Sequence, residues 1–145
     1  MRAIAQARYR KEHGDNPVLL YTPEDVDGVI DALLDAPAGV IVQNLAQIHS
    51  LERDLLPSGF PDHELMVGVD KNLQVGLISF ADDENYATLG NEDSRPGPVY
   101  FITGHDTYFP DNSEIPIHLV RQAVKEFVAS GGQRPNCVQW QVDDL

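Results

Sequence analysis

Between Ser113 and Gln141 the chain reads S-E-I-P-I-H-L-V-R-Q-A-V-K-E-F-V-A-S-G-G-Q-R-P-N-C-V-Q-W-Q, and no other stretch constrains the fold as strongly. Leu119, Val120, Ala123, Val124, Phe127 and Val128 recur at the spacing that lines one side of an α-helix, while Arg121, Gln122, Lys125 and Glu126 fall on the other. Such a helix needs a surface on which to bury its apolar side. Ser113 is expected as its cap, and Pro116 is tolerated in a first turn whose N–H groups lack helical partners. Gly131 and Gly132 can adopt the left-handed backbone that ends a helix, and Pro135 cannot continue it. Cys137 to Gln141 then alternates in character and predicts a short terminal strand, with Cys137 a buried thiol and Trp140 packed under the helix.

The rest of the chain predicts a sheet to receive that helix. Ala3 to Arg10 is expected as an edge strand with Arg8, Arg10 and Lys11 facing water, His13 to Pro17 as a turn, and Val18 to Tyr21 as a brief strand. Thr22-Pro23-Glu24-Asp25 is a helix start, with Thr22 as cap, Pro23 in the first position and Asp25 in the reciprocal capping position. That helix should run to about Asp35, burying Val26, Val29, Ile30, Leu33 and Leu34 and presenting Asp27, Asp31 and Asp35 outward. Gly39 to Val42 reads as a buried strand. Residues 44–62 fit a short irregular helix as well as a loop. Glu64 to Val69 and Leu73 to Phe80, joined through Asp70-Lys71-Asn72, predict a hairpin in which Leu73, Val75 and Leu77 share a face. Pro98 to Thr103 is a further strand and His105 to Phe109 its return. The pattern predicts a single α+β domain over residues 1–145, an antiparallel sheet of about five or more strands with two main helices packed on one face.

Charge is the most informative bulk property. Ten basic against twenty-three acidic residues give a net charge of −13, although the first eleven residues hold four of the basic ones and no acid. Such a surface repels nucleic acid and anionic membrane and attracts a basic partner. The N-terminus lacks a signal-peptide core and no apolar run reaches membrane-spanning length, so a cytoplasmic location is expected. The single cysteine, Cys137, precludes an internal disulfide and any cysteine-rich zinc motif.

Enzyme signatures are incomplete throughout. His63-Glu64 opens like a zinc deaminase motif, but the paired cysteines of such a site are missing. His63, His105 and His118 are scattered, no serine sits in a nucleophile elbow, and no glycine-rich loop precedes a helix in phosphate-binding form. The expectation is a binding protein without catalytic residues, metal or cofactor.

The C-terminal stretch resembles the close of the first-numbered Imm family of immunity proteins from bacterial polymorphic toxin systems, through Glu126, Phe127, Ser130, Gly131, Arg134, Pro135 and Trp140. Gly90 and Gly97 to Phe101 lie where that family has a glycine-bearing turn and central strands, so the likeness spans roughly residues 64 to 141. The resemblance implies an α+β fold and a protein that binds and silences a toxin made by the same cell, often of deaminase type, with a nuclease the next expectation. The residues suggest where such binding takes place. Asp82, Asp83 and Glu84, together with Glu92 and Asp93, form acidic loops that straddle Tyr86 and adjoin strand ends, and carboxylates can occupy the place of phosphates in a basic cleft. Tyr86 and Tyr108 are the aromatic candidates beside them. The alternative is a small metal-dependent hydrolase or ligand-binding enzyme using Glu64, His105 and Asp106 in a sheet-end pocket.

Overall fold

The structure, a computed structural model, describes residues 2–35, 43–92 and 94–143. The expected strand at Gly39 to Val42 and the candidate Asp93 lie outside them. In chain order the elements are β1 (Ala5–Arg8), β2 (Val18–Leu20), α1 (Val26–Leu34), β3 (Leu45–Ser50), β4 (Glu64–Asp70), β5 (Val75–Ala81), β6 (Asn85–Thr88), β7 (Val99–Ile102), β8 (His105–Tyr108), β9 (Ile115–Pro116), α2 (Ile117–Ala129) and β10 (Trp140–Val142). Among the described residues an eight-stranded antiparallel sheet runs in the order β10, β6, β5, β4, β3, β1, β2, and the short β9 also pairs with β5. The edge of β5 is shared: β6 covers Ser79 to Ala81, and β9 covers Val75 and Gly76. The α+β class with two helices is as expected.

Both helices bury their apolar sides in one cluster with the sheet. Val26, Val29, Ile30 and Leu33 of α1 and Val120, Ala123, Val124, Phe127 and Val128 of α2 pack with Ala46, Ile48, Leu65, Val67, Val69, Ile78 and Phe80. A one-turn 3-10 segment, Pro23–Asp25, leads into α1, and the Asp25 carboxylate accepts the N–H groups of Tyr21 and Thr22 at 2.7 and 3.1 Å, as the capping pattern predicts. Gly131 and Gly132 close α2 with φ of 75° and 96°. At Gly132 a Cβ would lie 2.6 Å from Arg53 Cδ and 2.7 Å from Ser50 Cβ, so the end of α2 can meet the exit of β3 only through glycine.

The opposite face of the sheet is covered as well. Leu45, Gly68 and Leu77 stand side by side across β3, β4 and β5. The ribbon of β7 and β8 lies over them, and its Tyr100 ring rests on Gly68, where a Cβ would come within 2.5 Å of the ring. Asn44 pins the ribbon: its N–H donates to the Phe101 carbonyl at 3.0 Å and its side-chain oxygen accepts the Phe101 N–H at 2.9 Å.

Several local expectations change. Residues 45–50 are a central strand, neither helix nor loop, and because both faces of β3 are covered the segment shows no alternation. β1 is interior and β2 is the edge. Val99–Ile102 belongs to the ribbon, not to the centre of the main sheet. Leu73 sits exposed in the turn after β4, where Asp70 Oδ1 accepts the N–H groups of Asn72 and Leu73, each at 3.0 Å. Pro116 takes the cap position of α2; the Ser113 hydroxyl donates to the Pro110 carbonyl, and the Ser113 carbonyl accepts the Thr88 hydroxyl. The terminal strand starts at Trp140, which leaves Cys137 half-buried in the loop before it. The Trp140 ring packs against the main core, as expected, with its N–H donating to the Pro135 carbonyl at 2.8 Å.

Candidate functional site

The two acidic segments fall at opposite ends of β6. Pairing of Ala81 with Asn85 closes the turn Asp82-Asp83-Glu84 at one end of the sheet. Asp82 serves that turn from inside, accepting the Asp83 N–H on Oδ1 at 2.6 Å, while its Oδ2 lies 4.0 Å from Arg53 Nη2. Asp83 points into solvent, and Glu84 accepts the Tyr86 hydroxyl at 3.0 Å. Tyr86 is half-buried against the core, and the Arg134 guanidinium stacks 4.1 Å above its ring, so its exposed part is narrow. Arg53 organises this end. It pairs with Asp62 at 3.0 Å and donates to the Gly132 carbonyl at 2.9 Å. Asp62 in turn holds His63, whose Nε2 accepts the Ser50 N–H at 2.9 Å; Nδ1 therefore carries the proton shared with Asp62.

The other end is built around a buried carboxylate. Glu114 accepts a bidentate pair from Arg95 at 2.9 and 2.6 Å and the Tyr100 hydroxyl at 2.5 Å. Arg95 also reaches Asp70 at 3.1 Å. This network ties the link after β6 to the sheet, with the Gly90 N–H donating to the Asn112 carbonyl at 2.6 Å. Burial, then the bond to Glu114, holds the Tyr100 phenol well above its ordinary range, so it is a neutral donor. Glu92 is exposed on this link. Tyr108 stands nearby, 63 % exposed, opposite Val99 in the ribbon and with its hydroxyl donating to Asp106 at 2.8 Å. The structure thus groups Asp82, Asp83, Glu84 and Tyr86 at one end and places Glu92 and Tyr108 towards the other.

The residues of the enzymatic alternative are dispersed over different elements. Glu64 opens β4, His105 and Asp106 are exposed at the start of β8, His118 is exposed on α2, and His63 is buried in its bonds to Ser50 and Asp62. Among the described residues no three His, Cys, Asp or Glu side chains are grouped to hold a metal ion. No helix among them is long and apolar enough to cross a membrane.

Two features escape sequence reasoning. His49 is buried with no partner for Nδ1 among the described residues, and burial, followed by the His63 and Arg8 charges, lowers its pKa to about 4. Nothing in L-A-Q-I-H-S signals this, because the burial comes from neighbouring elements. The second is a small hairpin between β3 and β4, where Leu55 bridges Pro61 and Leu55, Leu56 and Phe60 face solvent. Here a signal exists: apolar residues flank the turn formers Pro57-Ser58-Gly59.

No curated protein matches this sequence. The family described as immunity protein Imm1 matches residues 14–142. That span reaches well before residue 64, where the visible likeness begins, and takes in both helices, both acidic segments and the strands from β2 to β10. The chain belongs to the Imm1 family of immunity proteins.

Proposed function

We propose that this chain is a cytoplasmic immunity protein, folded as a single domain, that binds and neutralises a cognate toxin domain of deaminase or nuclease type in the cell that makes both. Family membership over nearly the whole chain carries this reading. The role is one of binding, and the net charge of −13 favours a toxin with a basic surface, since a domain that acts on nucleic acid must attract phosphates. Asp82, Asp83 and Glu84, with Tyr86 beside them, are the proposed contacts at one end of the sheet, and Glu92 and Tyr108 towards the other; Asp93, outside the described residues, is proposed as a further contact. Carboxylates placed in this way compete for the positions that substrate phosphates take and speed encounter with a cationic face.

The test is protection. Toxin domains of the source bacterium are expressed in a sensitive host with and without this chain, and survival is counted. The reading predicts that one toxin's lethality is abolished and that the same toxin co-purifies with the chain. Equal killing by every toxin domain, with or without the chain, contradicts it.

A further inference from the structure

The segment between β3 and β4 exposes more apolar side chain than its length explains. Phe60 is 70 % exposed, Leu55 64 % and Leu56 47 %, and Leu51 is exposed just before them. Apolar residues scattered singly over a surface need no account, but a contiguous group rimmed by polar residues marks a contact surface. The backbone that carries these side chains is held in place. The Leu56 N–H donates to the Phe60 carbonyl at 2.7 Å, the Gly59 N–H returns to the Leu56 carbonyl at 2.8 Å, and Leu55 bridges Pro61. At the base, Arg53 is fixed by Asp62 and by the Gly132 carbonyl, and His63 is fixed between Asp62 and Ser50. A hairpin ordered before contact loses little freedom on binding, which favours affinity.

Its surroundings say what it meets. Glu52 and Asp54 are exposed at its entry, and the Asp82-Asp83-Glu84 turn approaches across Arg53, with 4.0 Å between Arg53 and Asp82. Arg2 and Arg53 line the same cleft as Glu52 and Asp54, but together with Asp82, Asp83 and Glu84 the carboxylates outnumber them, and a net acidic rim around an apolar centre repels a second copy of itself as it repels an anionic membrane or nucleic acid. It complements a cationic rim around an apolar depression. Resting on the immunity reading above, we propose that the hairpin from Leu55 to Pro61 is the anchor that seats the cognate toxin domain. Phe60, Leu55 and Leu56 enter an apolar depression on that domain, while Glu52, Asp54 and the Asp82-Asp83-Glu84 turn meet the lysines and arginines around it. The apolar anchor governs dissociation and the acidic rim governs encounter.

The experiment uses the full chain and the toxin domain identified by the survival test, purified with its catalytic residue inactivated. Association and dissociation rates are measured for the native sequence, for Phe60→Ser, for Leu55→Ser with Phe60→Ser, and for Glu52→Gln with Asp54→Asn. Because these side chains face solvent, unfolding midpoints should stay within about 2 °C of the native chain. Phe60→Ser should raise the dissociation rate about thirtyfold with little change in association, and the double serine variant more than that. Glu52→Gln with Asp54→Asn should instead slow association at low salt. A Phe60→Ser protein that folds and dissociates at the native rate overturns the anchor while leaving the immunity reading intact. A native chain that neither binds nor protects against any toxin domain overturns both. If light scattering shows a native dimer that Phe60→Ser dissolves without weakening toxin binding, the hairpin serves self-association and the proposal is wrong.

Discussion

Glu114 is a carboxyl group only 5 % exposed, and Arg95 and Tyr100 satisfy it with three hydrogen bonds. Tyr100→Phe removes one donor from that buried acceptor and should lower the unfolding free energy by about 1–3 kcal/mol, read from urea denaturation. An unchanged midpoint would mean that Glu114 is solvated in its place. His49 supports a pH prediction. Its folded pKa is about 4, below the 6.5 expected when unfolded, so between these values the unfolded chain binds more protons. Stability from this residue is therefore fully present above about pH 6.5 and is lost as pH falls towards 4, by at most about 3 kcal/mol. Asp25 and Asp27 are depressed carboxylates, Asp25 chiefly through the Tyr21 and Thr22 N–H groups and Asp27 chiefly through Lys125, so their losses begin lower, near pH 4. Urea titrations at several pH values should show the fall below about 6.5, to which His63, also lowered by burial, adds in the same direction, and His49→Gln should reduce it. A His49→Gln protein with the same pH dependence as the native chain would place the titration elsewhere.

At the scale of elements, α2 was legible because its partner is a whole sheet face and its apolar spacing persists over three turns. Phe127, buried against Phe80 and His63, should cost about 3–5 kcal/mol when changed to alanine. The acidic side of α1 was legible as charge but not as contact. Asp27 and Asp31 meet Arg121 at 2.9 and 2.6 Å, and Lys125 meets Asp27 at 2.7 Å, pairs that join helices far apart in sequence. These pairs are partly solvated, so Asp31→Ala should cost under about 1 kcal/mol, and chemical denaturation of the two variants separates the contributions. The hairpin of β4 and β5 was legible from the apolar runs on either side of Asp70-Lys71-Asn72, although its turn extends to Gln74, which takes the positive φ of 56°. β3 was not, since a strand covered on both faces loses the alternation by which strands are recognised, and its six residues include Gln47 and His49. β10 starts later than composition predicts, because Cys137-Val138 has strand composition but its backbone lies in the loop that carries Arg134 towards Tyr86. Among the candidate site residues, sequence adjacency suggested one acidic surface around β6. The four residues from Asn85 to Thr88 separate it into two, since one segment enters the strand and the other leaves it.

For the whole molecule, the sheet holds its two ends apart and gives each a different construction. The end at Glu114 is a closed network, with its charges paired beneath the link after β6. The end at Arg53 carries the acidic turn and the apolar hairpin on a fixed base. Arg8, Arg10 and Lys11 line a cleft of about 270 Å³ with Tyr9, Gln47 and Ile102, whereas the arginines at the acidic end are engaged, Arg53 with Asp62 and Arg134 over the Tyr86 ring. The charge is thus asymmetric as well as negative, which orients the approach of a cationic partner. Recognition of a basic toxin domain, as proposed for this acidic molecule, must depend on salt. The measurement that tests it most directly is the association rate of the purified chain with that toxin domain, followed by stopped flow from low to physiological salt. Association should fall steeply with rising salt while the dissociation rate barely moves. An association rate independent of salt would contradict it.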